Sequence, residues 1–193
     1  MFAQLDTKSV YSFMDSVVDL NSYVARAKEL GYQALGLMDR DNLYAAYHFA
    51  QLASRNGLRP LIGMEANLFY EGRKIPFRLL AKNNQGYKNL MKLATELSSG
   101  QREFTAFSDY LNDIALILPS EDWEPGMTLG SEVFIGVRPE DAGKEFDYPV
   151  VPLHTVRYFE NSDRSTIQML HAISQNVSLS EASICPMNQL LFS

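Results

Sequence analysis

The feature that most constrains this chain is an alternation of short apolar runs with stretches of helical periodicity. FAQLD (2–6), ALGLM (34–38) and RPLIGME (59–65) read as strands. Between them lie two helices. One is capped by Asp19 or Asn21, carries Leu20, Val24, Ala27 and Leu30 at helical spacing, and stops at Gly31. The other runs over 43–55 and stops at Asn56-Gly57. ANLFY and IPFRLLA flank Glu71-Gly72-Arg73-Lys74, a hairpin turn. A helix over 87–98 ends before Gly100, strands follow at 114–118, 133–137 and 149–153, and a last helix covers 162–174. Strands separated by helical segments imply parallel pairing through βα crossovers. Length and strand count predict a barrel-like α/β fold with mostly parallel strands, smaller than an eight-unit barrel.

A length of 193 residues suits one ordinary domain, and 46% hydrophobic against 21% charged residues excludes a disordered chain. No apolar run approaches the ~18 residues of a membrane span. The opening MFAQLDTKSVYS lacks a basic-then-apolar leader, so no signal peptide is expected. The single Cys185 can form no internal disulfide, and a cytoplasmic setting is the expectation. Its thiol reads as incidental or buried, since it lies in an irregular tail without an evident histidine partner. The net charge of −6 and scattered bases, densest in KNNQGYKNLMK, predict weak or no nucleic-acid binding by this chain alone.

In parallel α/β folds, chemistry gathers at the carboxyl ends of strands. The residues that follow the apolar runs are Asp6 and Lys8, then Asp39, Arg40 and Asp41, then Glu65, then His154 and Arg157. These eight are expected to share one cleft. A multinuclear metal site needs several imidazoles and carboxylates together. Of the three histidines, His48 and His171 sit inside helical patterns and read as packing or surface residues, and only His154 follows a strand. There is no glycine-rich phosphate loop and no nucleophile-elbow serine. Asp39 and Glu65 could serve as an acid–base pair, but the neighbouring cations favour ion pairing.

Four segments carry a resemblance. LDTKSVYSFMDS, ALGLMDRDNLYAAYHFAQLASRNGLRPLIGMEANL, FRLLAKNNQGYKNLMKL and PVVPLHTVRYFENSDRSTIQMLHAISQN resemble, in order, the PHP (polymerase and histidinol phosphatase) domain at the amino end of bacterial DNA polymerase III alpha subunits. The likeness runs over about 5–176, is most specific at LLAKNNQGYKNLMKL and at 57–65, and is weakest over 101–144. It implies a distorted (βα)7-like barrel over 1–178, with 179–193 a tail toward a missing polymerase core. Active members of the family hold a trinuclear metal cluster. Their first His-x-His motif is similar to Asp6 and Lys8 here, and their Asp-His pair to Asp39-Arg40. Their glutamate matches Glu65, a further histidine falls near Pro76 or Phe77, and their late Asp-x-His matches Thr155-Val156-Arg157. Asp39 and Glu65 are thus retained family positions, while most other ligands are replaced.

A protonated lysine or arginine cannot ligate a cation, and two unit charges 4 Å apart interact by roughly 4 kcal/mol at an effective dielectric of about 20. No catalytic residue and no metal or other cofactor are therefore expected in this chain. Lys8, Arg40 and Arg157 are expected to pair with Asp6, Asp39 and Glu65. The alternative is drift, with each charge simply solvated. The resemblance implies a parent that extends primed DNA with Mg2+, whose other domains would be the partners of an inactive structural module. Two other readings are a metal-dependent phosphoesterase or 3′→5′ proofreading exonuclease, and a docking surface for another replisome protein. For the latter, Tyr44, Tyr47, Phe104, Phe107 and Tyr110 offer aromatic groups, although aromatics at such spacing more often fill a core.

Overall fold

The computed structural model describes residues 3–130, 132–141 and 143–182. Cys185, and with it 183–193 of the expected tail, lies outside the described residues. The described residues divide into two compact units: 3–39, 44–61 and 154–182 belong to the first, and 40–43 with the described part of 62–153 to the second.

In the first unit, the expected strand over 2–6 is broken at Leu5 into β1 (Ala3–Gln4) and β2 (Asp6–Thr7). β1 pairs in parallel with β3 (Ala34–Leu37), and β2 pairs in parallel with β9 (Thr155–Val156). Gly36 explains the break. A Cβ there would lie 2.0 Å from the Leu5 carbonyl oxygen, so only glycine lets the backbone of the chain step from one pairing to the next. Beyond the step, the Met38 N–H donates to the Thr7 carbonyl at 2.9 Å and the Lys8 N–H to the Val156 carbonyl at 2.9 Å. The carboxyl ends of β2, β3 and β9 therefore lie side by side.

Helices α1 (Leu20–Glu29), α2 (Ala46–Arg55) and α4 (Asp163–Gln175) complete this unit. Asp19 is the N-cap of α1, and hydrogen bonds from the Ser22 side chain and backbone hold its carboxyl below the usual carboxylate range. α2 starts three residues later than its periodicity suggests. Asp41 takes a positive φ of 54°, and Asn42 donates its side-chain amide to the Arg40 carbonyl, so 40–43 cannot join the helix. Tyr23 of α1 stacks on Phe49 of α2 with ring centroids 5.9 Å apart. Its hydroxyl donates to the Gly36 carbonyl at 2.9 Å, and burial pushes its pKa far upward.

The chain passes into the second unit within β4 (Arg59–Tyr70). β4 turns into β5 (Arg73–Ala81) through Glu71-Gly72 alone, both at positive φ, as a two-residue hairpin loop requires. The expected four-residue turn is therefore too long by two. Its register would set Tyr70 against Ile75, whereas Tyr70 faces Arg73 and Ile75 faces Leu68. β6 (Ile114–Pro119) adds antiparallel to β5, and β7 (Val133–Val137) and β8 (Val150–Pro152) follow in parallel. The links between these last strands carry short 3-10 turns at Ser120–Asp122 and Pro139–Asp141.

Helix α3 (Asn84–Ser98) is capped by Asn83, which accepts from the Gln85 and Gly86 N–H groups. Met64, Ala66 and Leu68 of β4 and Ile75, Phe77 and Leu79 of β5 share a core with Leu90, Leu93 and Leu97 of α3. Phe104 and Phe107 of the 3-10 stretch Phe104–Tyr110 are buried in it, with Tyr110 packed against it. Most strand pairings are parallel and helices intervene, so the α/β class is as expected. Among the described residues, no helix is long and apolar enough to cross a membrane.

Candidate functional site

Asp6, Lys8, Asp39, His154 and Arg157 belong to the first unit, and Arg40, Asp41 and Glu65 to the second.

Lys8 leaves the end of β2 and turns inward. Its side chain and that of Asp6 are both fully buried, with Nζ 2.8 Å from Asp6 Oδ1. The ammonium also donates to the Met38 carbonyl at 2.6 Å. The second Asp6 oxygen accepts from the Thr155 hydroxyl at 2.7 Å, because the β2–β9 register sets Thr155 beside Asp6. Removing a charge pair from water is costly, and it persists only where hydrogen bonds occupy the remaining lone pairs and protons, as they do here. The expected Lys8–Asp6 pairing is present.

Asp39 is 1% exposed and has a different solution. Its Oδ1 accepts from the Ser9 N–H and the Ser12 hydroxyl, and its Oδ2 from the Ser9 hydroxyl, each at 2.7 Å. Neutral donors thus occupy the carboxylate for which a cation was expected. Ser9 and Ser12 were missed. The signal was two hydroxyls three residues apart directly after a strand, where such side chains commonly fold back on a turn.

Arg157 does not pair with Asp6, Asp39 or Glu65, which corrects the expected assignment. Its Nε lies 3.1 Å from Asp15 Oδ1, and His171 Nε2 lies 3.3 Å from the same oxygen. The cause is register. With Thr7 opposite Val156, Arg157 has passed the end of the pairing and meets the loop that follows Lys8. That loop is pinned by the Val17 N–H donating to the Arg157 carbonyl at 3.1 Å, which places Asp15 beside the guanidinium. His171 reaches this group from α4, while His48 is exposed on α2. His154 immediately precedes β9, and its backbone carbonyl accepts from Gln4 Nε2 at 2.7 Å.

In the second unit, Glu65 meets two guanidinium groups. Arg40 Nε lies 3.2 Å from Oε1 and Arg78 Nη2 lies 3.3 Å from Oε2. The Arg40 pairing is as expected, and Arg78 was missed. Arg78 faces Glu65 in the β4–β5 register, and its side chain is 8% exposed against 40% for Arg40. Asp41 donates its N–H to the Glu65 carbonyl at 2.7 Å. Its carboxylate accepts from the Asn67 N–H at 3.0 Å and from Arg102 Nη1 at 2.8 Å.

The two arginines should therefore differ in weight. Arg40→Met is expected to cost at most about 1 kcal/mol, as for a pair open to water. Arg78→Met is expected to cost about 3 kcal/mol, because a buried carboxylate loses its sheltered partner. Urea denaturation of the two variants measures the difference, and equal midpoints would refute the assignment.

These contacts limit the chemistry. A divalent cation at Asp6 would have to displace a buried ammonium, and one at Glu65 would have to displace two guanidinium groups. Among the described residues, no group of three or more His, Cys, Asp or Glu side chains forms a metal-ligand cluster, so these residues do not fit a polynuclear metal centre. A separate cavity of about 810 Å3 in the second unit, with Tyr70, Phe104 and Lys82 in its wall, contains none of the eight expected residues.

The comparisons with known proteins bear on the same residues. DNA polymerase III subunit alpha of Streptococcus pyogenes serotype M1 is 45% identical over 193 residues, which cover 99% of this chain and 19% of that protein. DNA polymerase III subunit alpha of Bacillus subtilis (strain 168) is 33% identical over 126 residues, covering 62% of this chain and 11% of that protein. The chain thus spans about a fifth of the length of the first of these relatives. Among solved structures, an amidohydrolase from Chromobacterium violaceum matches with a TM-score of 0.43 and 19% identity, over 51% of this chain and 34% of that one. The PHP domain family matches residues 4–124. Because that match starts within β1, ends beyond β6 and takes in the carboxylates Asp6, Asp39 and Glu65, this chain belongs to the PHP domain family.

Proposed function

We propose that this chain is the PHP module of a replicative DNA polymerase of the alpha-subunit kind, and that it serves that enzyme as a metal-free structural domain in the cytoplasm. The likeness over nearly the whole chain to DNA polymerase III alpha subunits supports the first part. Primer extension and its Mg2+ would then belong to the portions of such a polymerase that this chain does not span, and those portions would be its partners.

The observation that carries the second part is Lys8. It stands where the family resemblance calls for a histidine, it is fully buried, and its ammonium is held by Asp6 and the Met38 carbonyl. A fixed positive charge there opposes any cation, and the hydrogen bonds to it tie the ends of β2 and β3 together. Arg40 and Arg78 on Glu65 supply the corresponding charge in the second unit. The module would brace its neighbours through strand ends held by ion pairs.

Metal analysis of the purified chain, after incubation with zinc and manganese and removal of the excess, tests this reading. Substoichiometric metal is expected, together with no hydrolysis of a phosphomonoester and no shortening of a labelled 3′ end. Stoichiometric metal with ester cleavage that a chelator abolishes would overturn it in favour of a phosphoesterase or proofreading exonuclease.

A further inference from the structure

The outer face of α2 has properties that the polymerase-module reading does not use. Tyr44 is 80% exposed and Tyr47 is 70% exposed, far more than an ordinary tyrosine needs to be to keep its hydroxyl wet. Helical spacing lines up His48, Gln51 and Arg55 along one stripe of α2, with Tyr47 beside it and Tyr44 in the turn just before the helix. The opposite face buries Ala46, Phe49 and Ala53 against the first unit, so the stripe must point outward. Gln51 Nε2 donates to the Tyr47 hydroxyl at 2.7 Å and braces that ring from one turn along the helix.

Charge along this segment runs against that of the chain. Acids outnumber bases by 23 to 17 over the whole sequence, yet no aspartate or glutamate occurs from Asn42 to Met64. Arg55 and Arg59 fall in that interval, both exposed, and His48 is exposed beside the tyrosines. A helix docking into a protein groove would present aliphatic anchors at i, i+3 and i+4. The exposed positions of α2 are instead Tyr47, His48, Ser54 and Arg55. Rings with accessible faces, a cation at one end and no carboxylate between them are what a strand of unpaired bases requires.

We propose that the outer face of α2, together with Tyr44 in the turn that leads into it, binds a short stretch of single-stranded nucleic acid. Bases stack on Tyr44 and Tyr47, and Arg55 takes a backbone phosphate. From Tyr47 to Arg55 the helix rises about 12 Å, room for about three nucleotides at stacked spacing. Stacking is tolerant of base identity, so the contact is without sequence preference. The net charge of −6 keeps it weak, a guiding contact and not an anchor. The inference stands on α2 and the turn before it, and does not depend on whether the carboxylate clusters hold metal.

Anisotropy of a fluorescein-labelled oligothymidylate, titrated with the intact chain at low salt, is the test. A Kd of about 10–100 µM is expected, weakening as salt rises. The double variant Tyr44→Ala, Tyr47→Ala should bind at least about tenfold more weakly, while Tyr44→Phe, Tyr47→Phe stays near wild type because the ring faces remain. Arg55→Gln should flatten the salt dependence by about one phosphate. Matching thermal melts establish that the variants are folded, as these side chains are exposed. No anisotropy change up to about 1 mM chain, well beyond non-specific affinities, would overturn the proposal. Equal binding by wild type and the double alanine variant would overturn it as well.

Discussion

Lys8→Met is expected to destabilise the chain by about 3–5 kcal/mol, because it strips the cation from a carboxylate with no access to water. For a chain of this size that corresponds to a melting temperature roughly 10 °C lower. The methionine fills much of the lysine stem's volume, so the loss reports charge and hydrogen bonding more than packing. Asp6 would keep its Thr155 hydrogen bond but lose the ammonium at 2.8 Å, and the Met38 carbonyl would lose its donor. Adding Asp6→Asn removes the stranded charge, and the double variant should recover a substantial part of the stability. A cycle of the two single variants and the double, followed by urea denaturation, isolates the coupling. An additive cycle with an unchanged midpoint for Lys8→Met would show that the pair braces nothing.

The second large effect is expected at Gly36. An alanine Cβ would lie 2.0 Å from the Leu5 carbonyl oxygen, 2.7 Å from its carbonyl carbon and 2.9 Å from its Cα. All three are backbone atoms, which cannot swing away as the end of a side chain can. Relief would require moving β1 and β2 away from β3, and with them Lys8 and the loop carrying Ser9 and Ser12. Gly36→Ala should therefore cost more than about 4 kcal/mol, among the rare large single-substitution effects, or prevent soluble expression. Gly31→Ala is the control. Its φ is +75° and no atom lies within 4 Å of the added Cβ, so only backbone strain of about 1 kcal/mol applies. If both variants expressed and melted alike, the close approach would have no energetic role.

The two substitutions probe different layers of one arrangement. Gly36 allows three parallel strands to end together, and Lys8, Asp6, Ser9 and Asp39 then hold those ends with hydrogen bonds that water cannot reach. The polar groups at these strand ends satisfy one another.

How much of this was legible varied with the range of the interaction. The strand over 34–38, the helix capped by Asp19 and the helix ended by Asn56-Gly57 follow from periodicity and capping chemistry, which act within a turn or two. Lys8 near Asp6 and Arg40 near Glu65 were also accessible, since strand ends in parallel folds converge. Arg78 could have been found. Counting outward from a two-residue turn at Glu71-Gly72 puts it opposite Glu65, but a four-residue turn shifts every pair and hides it. The Tyr44, Tyr47, Phe104, Phe107 and Tyr110 group shows the limit of composition. The last three lie in or against the core and the first two are exposed, a division that depends on which face each element turns inward.

Local chemistry in the chain sufficed to determine the α/β class and the order of most elements, and four segments of resemblance pointed to the family. Those signals depend on neighbours a few residues apart, and a linear reading contains them. Beyond Lys8 with Asp6 and Arg40 with Glu65, which partner each charged group meets was decided only by the tertiary structure. Arg157 found Asp15, Asp39 found two serines and Glu65 found Arg78, because strand register and the path of the loop after β2 place groups far apart in sequence within hydrogen-bond distance. Hydrogen bonds lose most of their worth within an ångström of misplacement, so partner choice depends on how the packed strands finally align.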